Sequence, residues 1–208
     1  MKSIEHIWFD FSDTIAHTDK NVLNDILWTS YAKAVGRPVT EELKKEFAEK
    51  RKKYKSGSAI FTSLGLPSGY LAEQIRLDSR QLYSLTDPEI PNVLSTLKDR
   101  RPISIFSNNK LDKILPALGI DTKWFAHILG PDQIARPKPA LDGFRKMVEL
   151  SGTTPAEILY IGDDIHKDLL PAKEVGITTG LLWKESPEAD VCFRDFDAIL
   201  AMSLENST

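Results

Sequence analysis

The chain is poor in several features that would assign it to a specialised class of protein. It has one cysteine, Cys192, which excludes a framework of internal disulfides and is typical of a reducing compartment. No apolar run is long enough to span a bilayer, and the short apolar stretch before residue 10 does not have the pattern of a signal peptide. The formal net charge of −3 gives no basic field for nucleic acid. We therefore expect a cytoplasmic protein with neither a membrane nor a nucleic-acid partner.

The composition is that of a globular protein, and its second part alternates regularly. Hydrophobic residues make up 41% and charged residues 27% of the 208 positions, enough apolar material for a sizeable core. From about residue 87 onward, short apolar runs alternate with amphipathic stretches, which predicts a Rossmann-like, doubly wound parallel sheet of the α/β class. The apolar runs are ISIF (103–106), HIL (127–129), ILYIG (158–162) and TTGLLW (178–183), and helix candidates lie near 110–118, 140–151 and 167–175. The opening IEHIWFDF is a further buried-strand candidate.

Residues 17–86 have a different character, with several helix patterns and no convincing strand. Thr40 and the two glutamates after it predict the start of a helix, and Gly57 after a lysine-rich turn predicts its end. This segment carries a net charge of +4 and the rest of the chain −7. The basic turn is either a solvated helix end or a surface facing an anionic substrate. We predict a helical cap at 17–86, inserted into an α/β core formed by 1–16 and 87–208.

Polar residues follow the apolar runs, where the strands of the predicted sheet end. They are Asp10, then Ser107 with Asn108 and Asn109, Lys138, and Asp163 with Asp164 and Asp168. Because ligands bind beyond the carboxyl ends of parallel strands, we expect these side chains to meet in one crevice. Taken singly, a carboxylate after a strand is more often a helix cap or turn former, and Lys138 before Pro139 is compatible with a solvated loop. Their joint placement favours a functional site.

These residue types suit phosphoryl transfer. A carboxylate such as Asp10 can carry a phosphoryl group covalently. Asp10 and Asp163 together are suitable ligands for a hard cation such as Mg²⁺, and Lys138 adds a further positive charge. Ser107 and the amides of the following helix are suited to hold the remaining phosphate oxygens.

Four segments resemble, in the same order, the four motifs of the haloacid dehalogenase (HAD) superfamily. They are WFDFSDTIAHT, ISIFSNN, KPALDGF and YIGDDIHKD. The resemblance covers nearly the whole chain and is to the branch that has a helical cap after the first motif. It implies a Mg²⁺-dependent enzyme with Asp10 as the nucleophile, Lys138 as the charge neutraliser, and Ser107 and Asn108 as phosphate contacts. It also implies that Asp10, Asp163 and the backbone carbonyl of Ser12 bind the metal, and that Asp168 is a further ligand or an anchor for Lys138.

Ser12 departs from this pattern, because phosphatases of the superfamily have a second aspartate two residues after the nucleophile. That aspartate protonates the leaving group and later activates the water. Serine has no suitable pKa for either task, and general acid–base catalysis typically contributes about 10²–10⁴-fold. Three neighbours could replace the missing aspartate: Asp13, His17 and His166. A turn, surface or capping role is the better interpretation of each.

The function that we expect is hydrolysis of a small phosphorylated metabolite through an aspartyl-phosphate on Asp10. A different class of function is a binding or regulatory protein that holds phosphate and Mg²⁺ with negligible turnover, which Ser12 favours. Two further hydrolases of the superfamily also do without the second aspartate. A phosphonatase needs a cap lysine, for which Lys50, Lys52 and Lys53 are candidates, and a dehalogenase is disfavoured by the acidic pair of the GDD sequence.

Overall fold

The first part of the chain leaves the sheet after one strand and returns to it after a bundle of helices. The computed structural model describes residues 3–77 and 82–205. Strand β1 (His6–Phe9) is followed by the short strand β2 (Ala16–Thr18) and by α1 (Lys20–Val35), α2 (Glu41–Tyr54), α3 (Gly57–Ser63) and α4 (Tyr70–Leu77). Strand β3 (Tyr83–Leu85) then pairs antiparallel with β2.

The remaining elements alternate between helices and strands. In chain order they are α5 (Ile90–Leu97), β4 (Ile103–Phe106), α6 (Ile114–Ala117), β5 (His127–Leu129), α7 (Asp142–Ser151), β6 (Ile158–Gly162), α8 (Leu170–Glu174), β7 (Thr178–Leu182), β8 (Val191–Phe193) and α9 (Phe196–Glu205). A π-helical turn, Ile165–Leu169, leads directly into α8. Among the helices of the described ranges, none combines the length and the apolar character that a membrane span requires.

Six strands form one parallel sheet in the order β5-β4-β1-β6-β7-β8. In the central strand β1, Phe9 lies opposite Ile105 of β4 on one side and opposite Ile161 of β6 on the other. All residues of these three strands are buried, because helices cover both faces of a parallel sheet and its strands are therefore apolar throughout. The predicted α/β fold with a parallel sheet is confirmed.

Successive residues of β1 contribute to different apolar clusters on the two faces of the sheet. Ile7 and Phe9 belong to one cluster, and Trp8 between them belongs to the other, as the two-residue period of a strand requires. A third cluster joins α1 to α4 and includes Leu27 and Phe47. The helical segment thus has an apolar core of its own, while the predicted domain boundaries at 16/17 and 86/87 stay a prediction.

Helix α2 begins where the sequence predicts but ends earlier. The Thr40 hydroxyl accepts a hydrogen bond from the Leu43 N–H at 3.2 Å, which is the expected N-terminal cap. The predicted stop at Gly57 was wrong: the helix ends at Tyr54, and Lys55 is the C-terminal cap with a φ of 59°. A non-glycine residue therefore adopts the left-handed conformation that normally favours glycine.

Three further local predictions differ from the structure. The segment predicted to have no strand contains β3 and most of β2. These three-residue strands form by pairing with each other, although the four helices separate them in the sequence. Helix α6 occupies only 114–117 of the predicted 110–118. Strand β8 was not predicted, since its VCF sequence lies in a polar segment and is stabilised by pairing with β7.

Candidate active site

The site lies where the order of the strands reverses. Since β4 and β6 flank β1, the residues that follow these three strands emerge side by side at the carboxyl edge of the sheet. Asp10 follows β1, and its N–H donates to the carbonyl of Ile161 at 2.8 Å. Ser107 follows β4 and Asp163 follows β6. The fold therefore brings these three predicted site residues to one place.

Lys138 is buried between two carboxylates. Its Nζ contacts Asp10 Oδ1 and lies 2.7 Å from Asp168 Oδ1 and 2.8 Å from the Tyr160 hydroxyl. The Tyr160 hydroxyl donates in turn to Asp168 Oδ1 at 2.9 Å. At most 1% of any of these four residues is exposed. With the Phe106 carbonyl at 3.4 Å, the ammonium group has four oxygen partners, so the buried charge is fully hydrogen-bonded.

Gly162 permits this close packing. A Cβ atom at Gly162 would lie 2.8 Å from the Cβ of Asp168, a distance that real contacts do not reach. A larger residue would push the Asp168 carboxylate away from Lys138. The glycine before Asp163 therefore has a packing role as well as its place in the motif.

The site holds more carboxylate groups than its own cations neutralise. Oxygens of Asp10, Asp163 and Asp168 all lie within 4.8 Å of one another. Burial, and then the charges of Asp10 and Asp168, raise the pKa of Asp163 to about 7. Burial and the charge of Asp168 also raise the pKa of Asp10, against the opposing effect of Lys138. Within the described residues the buried Oδ2 of Asp168 has no hydrogen-bond partner. A hard, oxygen-liganded cation such as Mg²⁺ fits this set of donors.

Lys167 is a second cation beside these carboxylates. Burial opposes its charge, but Asp10 and Asp168 outweigh burial and raise the pKa of Lys167 above its usual range. For Asp168 the balance is reversed: burial opposes ionisation, yet Lys138 and Lys167 lower the pKa of its carboxyl group. Sequence reasoning did not select Lys167, whose only local signal is its place in the IHKDL segment.

Ser107 and Asn108 both line the cavity above the carboxylates, but their side chains are already engaged. The buried Ser107 Oγ accepts from the Asn109 N–H at 3.1 Å. Asn108 Oδ1 accepts from the Lys138 N–H at 2.9 Å, and its Nδ2 donates to the Lys138 carbonyl at 3.2 Å. Asn108 therefore positions the Lys138 segment, and the phosphate contacts predicted for both residues stay predictions.

Ser12 lies beside two polar groups: Asn109, one of the residues predicted to follow β4 at the site, and Tyr83, which sequence reasoning missed. Its Oγ accepts from Asn109 Nδ2 at 3.2 Å, and the same amide nitrogen donates to the Tyr83 hydroxyl at 3.0 Å. Burial, followed by the charge of Asp10, raises the pKa of Tyr83 above its usual range. Neutral hydrogen-bonding groups thus surround the position where the family pattern has a carboxylate. Tyr83 carried no local signal, because β3 brings it here from the far end of the helical segment.

The three candidates to replace the missing carboxylate, Asp13, His17 and His166, either have another role or are exposed. Asp13 occupies a turn with a φ of 60°, and its Oδ1 accepts from the Thr18 N–H at 3.2 Å. His17 is exposed and lies 3.9 Å from the same carboxylate oxygen. His166 is exposed on the π-helical turn. Asp164, in the YIGDDIHKD segment, caps this turn by accepting from the His166 and Lys167 N–H groups at 2.8 and 2.9 Å.

A cavity of about 410 Å³ lies between this edge of the sheet and the helical segment. Ser12, Ser107 and Asp163 line its floor, and Lys20 and Lys55 belong to its lining from the helical side. The volume is within the range of small-molecule sites. The cavity lining does not include the three lysines weighed for a phosphonatase, Lys50, Lys52 and Lys53.

A parallel sheet with a cluster of aspartates around a buried lysine at its carboxyl edge resembles the site of hydrolases of the haloacid dehalogenase type. The family model of haloacid dehalogenase-like hydrolases matches residues 4–176. The chain belongs to this family.

Among curated proteins, the chain is similar to the phosphoglycolate phosphatase of Escherichia coli (strain K12). The two are 26% identical over 132 residues, which cover 58% of this chain and 52% of that protein. The chain thus spans about half the length of the curated relatives that it matches.

Solved structures with similar folds include both phosphatases and dehalogenases. The HAD phosphatase from Thermococcus onnurineus has a TM-score of 0.68 at 19% identity and covers 96% of this chain and 97% of its own. The 2-haloacid dehalogenase from Pseudomonas syringae pv. Tomato DC3000 has a TM-score of 0.67 at 17% identity, with 99% and 100% covered. The HAD-hydrolase YfnB from Bacillus subtilis, described as bound to magnesium, has a TM-score of 0.66 at 17% identity, with 98% and 100% covered. At these identities the likeness is one of fold.

Proposed function

We propose that this chain is a Mg²⁺-dependent phosphohydrolase that acts on a small phosphorylated metabolite through an aspartyl-phosphate on Asp10. The observation that carries the proposal is the contact of the buried Asp10 carboxylate with Lys138, in a cluster with Asp163, which lines a metabolite-sized cavity. A carboxylate held in this way is fixed for attack, and Lys138 offsets the repulsion between it and an anionic phosphate.

Asp10 and Asp163, with the backbone carbonyl of Ser12, would hold the magnesium ion, and Asp168 would complete the acidic set. When bound, the ion neutralises phosphate oxygens and helps to orient the phosphoryl group. The unpartnered Asp168 Oδ2 and the raised pKa of Asp163 support this assignment, because both indicate carboxylate charge that protein groups leave uncompensated.

In the first step an Asp10 oxygen forms a bond to phosphorus while the bond to the leaving-group oxygen breaks. The leaving oxygen keeps the electron pair and takes a proton from solvent, since Ser12 supplies no acid. Water then attacks phosphorus, loses a proton to bulk base, and releases inorganic phosphate and the free Asp10 carboxylate. The second step is slow because it has no general base. Activated phosphates, such as aryl and acyl phosphates, are the favoured substrates.

The test is hydrolysis of para-nitrophenyl phosphate by the wild type, Asp10→Asn and Ser12→Asp, each with Mg²⁺ and with EDTA. We expect slow Mg²⁺-dependent turnover by the wild type and none by Asp10→Asn. Ser12→Asp should be faster by as much as about 10²-fold, since it restores the acid–base group. Equal activity of the wild type and Asp10→Asn would reject Asp10 as the nucleophile.

A second candidate function is a binding protein that holds a phosphorylated ligand without turning it over. Ser12 favours this alternative, because its Oγ lies in a neutral cluster with Asn109 and Tyr83. It predicts a wild type that is silent with para-nitrophenyl phosphate but binds inorganic phosphate and Mg²⁺ together. Turnover by Ser12→Asp in the same assay would then show that the remaining machinery is intact.

A further inference from the structure

Several cations of the helical segment are neutralised by ion pairs. Four of them have a carboxylate oxygen at 2.6–3.1 Å: Arg37 with Glu46, Lys44 with Glu41, Lys52 with Glu49, and Arg76 with Asp112. These groups are satisfied within the protein. They contribute little that a ligand could use.

Three other cations of this segment line the cavity and are not paired. Lys20 is the first residue of α1, Arg51 is in the last turn of α2, and Lys55 follows that helix. Over residues 3–77 and 82–205 none of the three has an ion-pair partner. All three are exposed, so their long side chains keep the reach to contact a molecule in the cavity.

The backbone of Lys55 has a conformation that disfavours any residue with a side chain. Its φ of 59° is left-handed, and its N–H donates to the Arg51 carbonyl as the cap of α2. Glycine adopts this conformation without the steric penalty of a Cβ atom, and it is the usual residue at such a cap. Backbone strain of this kind is common where a side chain serves a ligand site.

Two further cations belong to the carboxylate cluster at the edge of the sheet. Lys138 is held by Asp10 and Asp168, and Lys167 lies among the same carboxylates. Those groups therefore serve the reacting phosphoryl group. The three unpaired cations enter the cavity from the helical side, so they meet a different part of any ligand that reaches the floor.

We propose that Lys20, Arg51 and Lys55 form a second anion subsite, and that the substrate is a small metabolite with a second anionic group besides its phosphate. This inference rests on the proposed function. The guanidinium of Arg51 can pair with two oxygens of a carboxylate or phosphate, while the two lysines act as point charges. A substrate with a neutral end would leave all three cations without an anion.

The test compares two substrates that differ only at the end remote from the phosphate. 3-Phosphoglycerate carries a carboxylate where glycerol 3-phosphate carries a hydroxymethyl group. Propane-1,3-diol bisphosphate, as a third substrate, separates preference for a second phosphate from preference for a carboxylate. Values of kcat/KM are measured with Mg²⁺ for the wild type, Arg51→Gln and Lys55→Gly. Lys53→Gln, which removes the same charge outside the cavity lining, is the matched control.

We expect the wild type to favour a substrate with a second anionic group, 3-phosphoglycerate or the bisphosphate, over glycerol 3-phosphate. Arg51→Gln and Lys55→Gly should each lower kcat/KM for that substrate by about 10- to 100-fold, the usual effect of losing a charge-assisted hydrogen bond. Their effect on glycerol 3-phosphate should be less than about 3-fold, and Lys53→Gln should change neither value by more than that. Lys55→Gly places the favoured residue at a left-handed position, so its loss of activity cannot be assigned to misfolding.

Equal losses on substrates with and without the second anionic group would overturn the inference, because the cations would then serve the phosphate that both share. So would a wild type that makes no distinction between them. If the wild type hydrolyses none of these compounds, nor para-nitrophenyl phosphate, the proposed function fails. Calorimetric binding of 3-phosphoglycerate and of glycerol 3-phosphate then decides the subsite separately. Tighter binding of 3-phosphoglycerate that Arg51→Gln abolishes supports the subsite, and equal binding of the two compounds rejects it.

Discussion

The side chain of Asn108 and the main chain of Lys138 form a two-point pair. The Lys138 N–H donates to Asn108 Oδ1 at 2.9 Å, and Asn108 Nδ2 donates to the Lys138 carbonyl at 3.2 Å. These bonds join the loop after β4 to the segment that carries the buried ammonium group. Because both ends of the side-chain amide are used, Asn108 is a positioning residue for Lys138.

Replacement of Asn108 by alanine removes both hydrogen bonds. We expect Asn108→Ala to lower the free energy of unfolding by about 1–3 kcal/mol and to lower kcat, since Lys138 is no longer held at Asp10. Urea denaturation and the para-nitrophenyl phosphate assay measure the two effects. Asn92→Ala, at an exposed asparagine of α5 whose side chain donates to Glu89, is the control and should change stability by less than about 0.5 kcal/mol. An Asn108→Ala protein as stable as the wild type would contradict this role.

The ion pairs of Lys138 give a second prediction. Lys138→Met leaves the buried carboxylates of Asp10 and Asp168 without their cation, and we expect a loss of about 3–5 kcal/mol in the free energy of unfolding. Activity should disappear as well. The double variant Lys138→Met/Asp168→Asn removes one of the stranded charges, so it should be more stable than the single variant. A double variant that is less stable than Lys138→Met would show that these charges do not determine the cost.

His6 gives the protein a pH-dependent stability that is unrelated to the active site. Its ring lies 2.8 Å from Ser104 Oγ beside His127, and burial followed by His127 lowers its pKa from 6.5 to about 4. Below pH 6.5 the unfolded chain binds a proton here that the folded chain does not. Stability therefore falls as the pH decreases from 6.5 to 4, by an amount on the order of 2–3 kcal/mol.

The variant His6→Gln keeps a hydrogen-bonding group but removes this titration. Urea denaturation at about pH 7.5 and about pH 4.5 should show a smaller loss of stability for His6→Gln than for the wild type. If the stability of the two proteins changes equally with pH, the pKa of His6 is not lowered by folding, and the prediction is wrong.

Tyr83 is one of the neutral groups near Ser12, to which it is linked through Asn109. Tyr83→Phe removes the hydroxyl that accepts from Asn109 Nδ2, and we expect kcat to fall by about 3- to 10-fold. Stability should change by no more than about 1.5 kcal/mol, since one hydrogen bond is lost. In the Ser12→Asp background the new carboxylate supplies the acid–base group itself, so the same substitution should have a smaller effect. An identical decrease in both backgrounds would indicate a structural role only.

The sequence predicts those parts of the fold and site that depend on local pattern. The buried runs and the polar residue after each of them are local, and parallel strands necessarily bring their carboxyl ends together, which is why Asp10, Ser107 and Asp163 meet. Tyr83 was missed because β3 brings it to this place from the far end of the helical segment, and the contact of Asn109 with Ser12 was not predicted because it joins two distant parts of the chain. Tyr160 lies in an apolar run and shows no polar signal, although its hydroxyl contacts Lys138.

The position of Lys55 shows a second limit. Glycine is the strongest local signal for the end of a helix, and Gly57 was available two residues later. The chain instead ends α2 with a lysine in the left-handed conformation. Local sequence preference favours glycine at this position, so it could not predict that the helix ends at Lys55.

The central claim is that Asp10 carries the phosphoryl group, and the most direct test is the mass of the enzyme quenched with acid during turnover of para-nitrophenyl phosphate and Mg²⁺. Because Ser12 leaves the second step without a base, the aspartyl-phosphate should accumulate. We predict one added phosphoryl group on the peptide that contains Asp10 in the wild type, less of it in Ser12→Asp, and none in Asp10→Asn. Turnover by the wild type with no adduct on this peptide, together with activity retained in Asp10→Asn, would contradict the account.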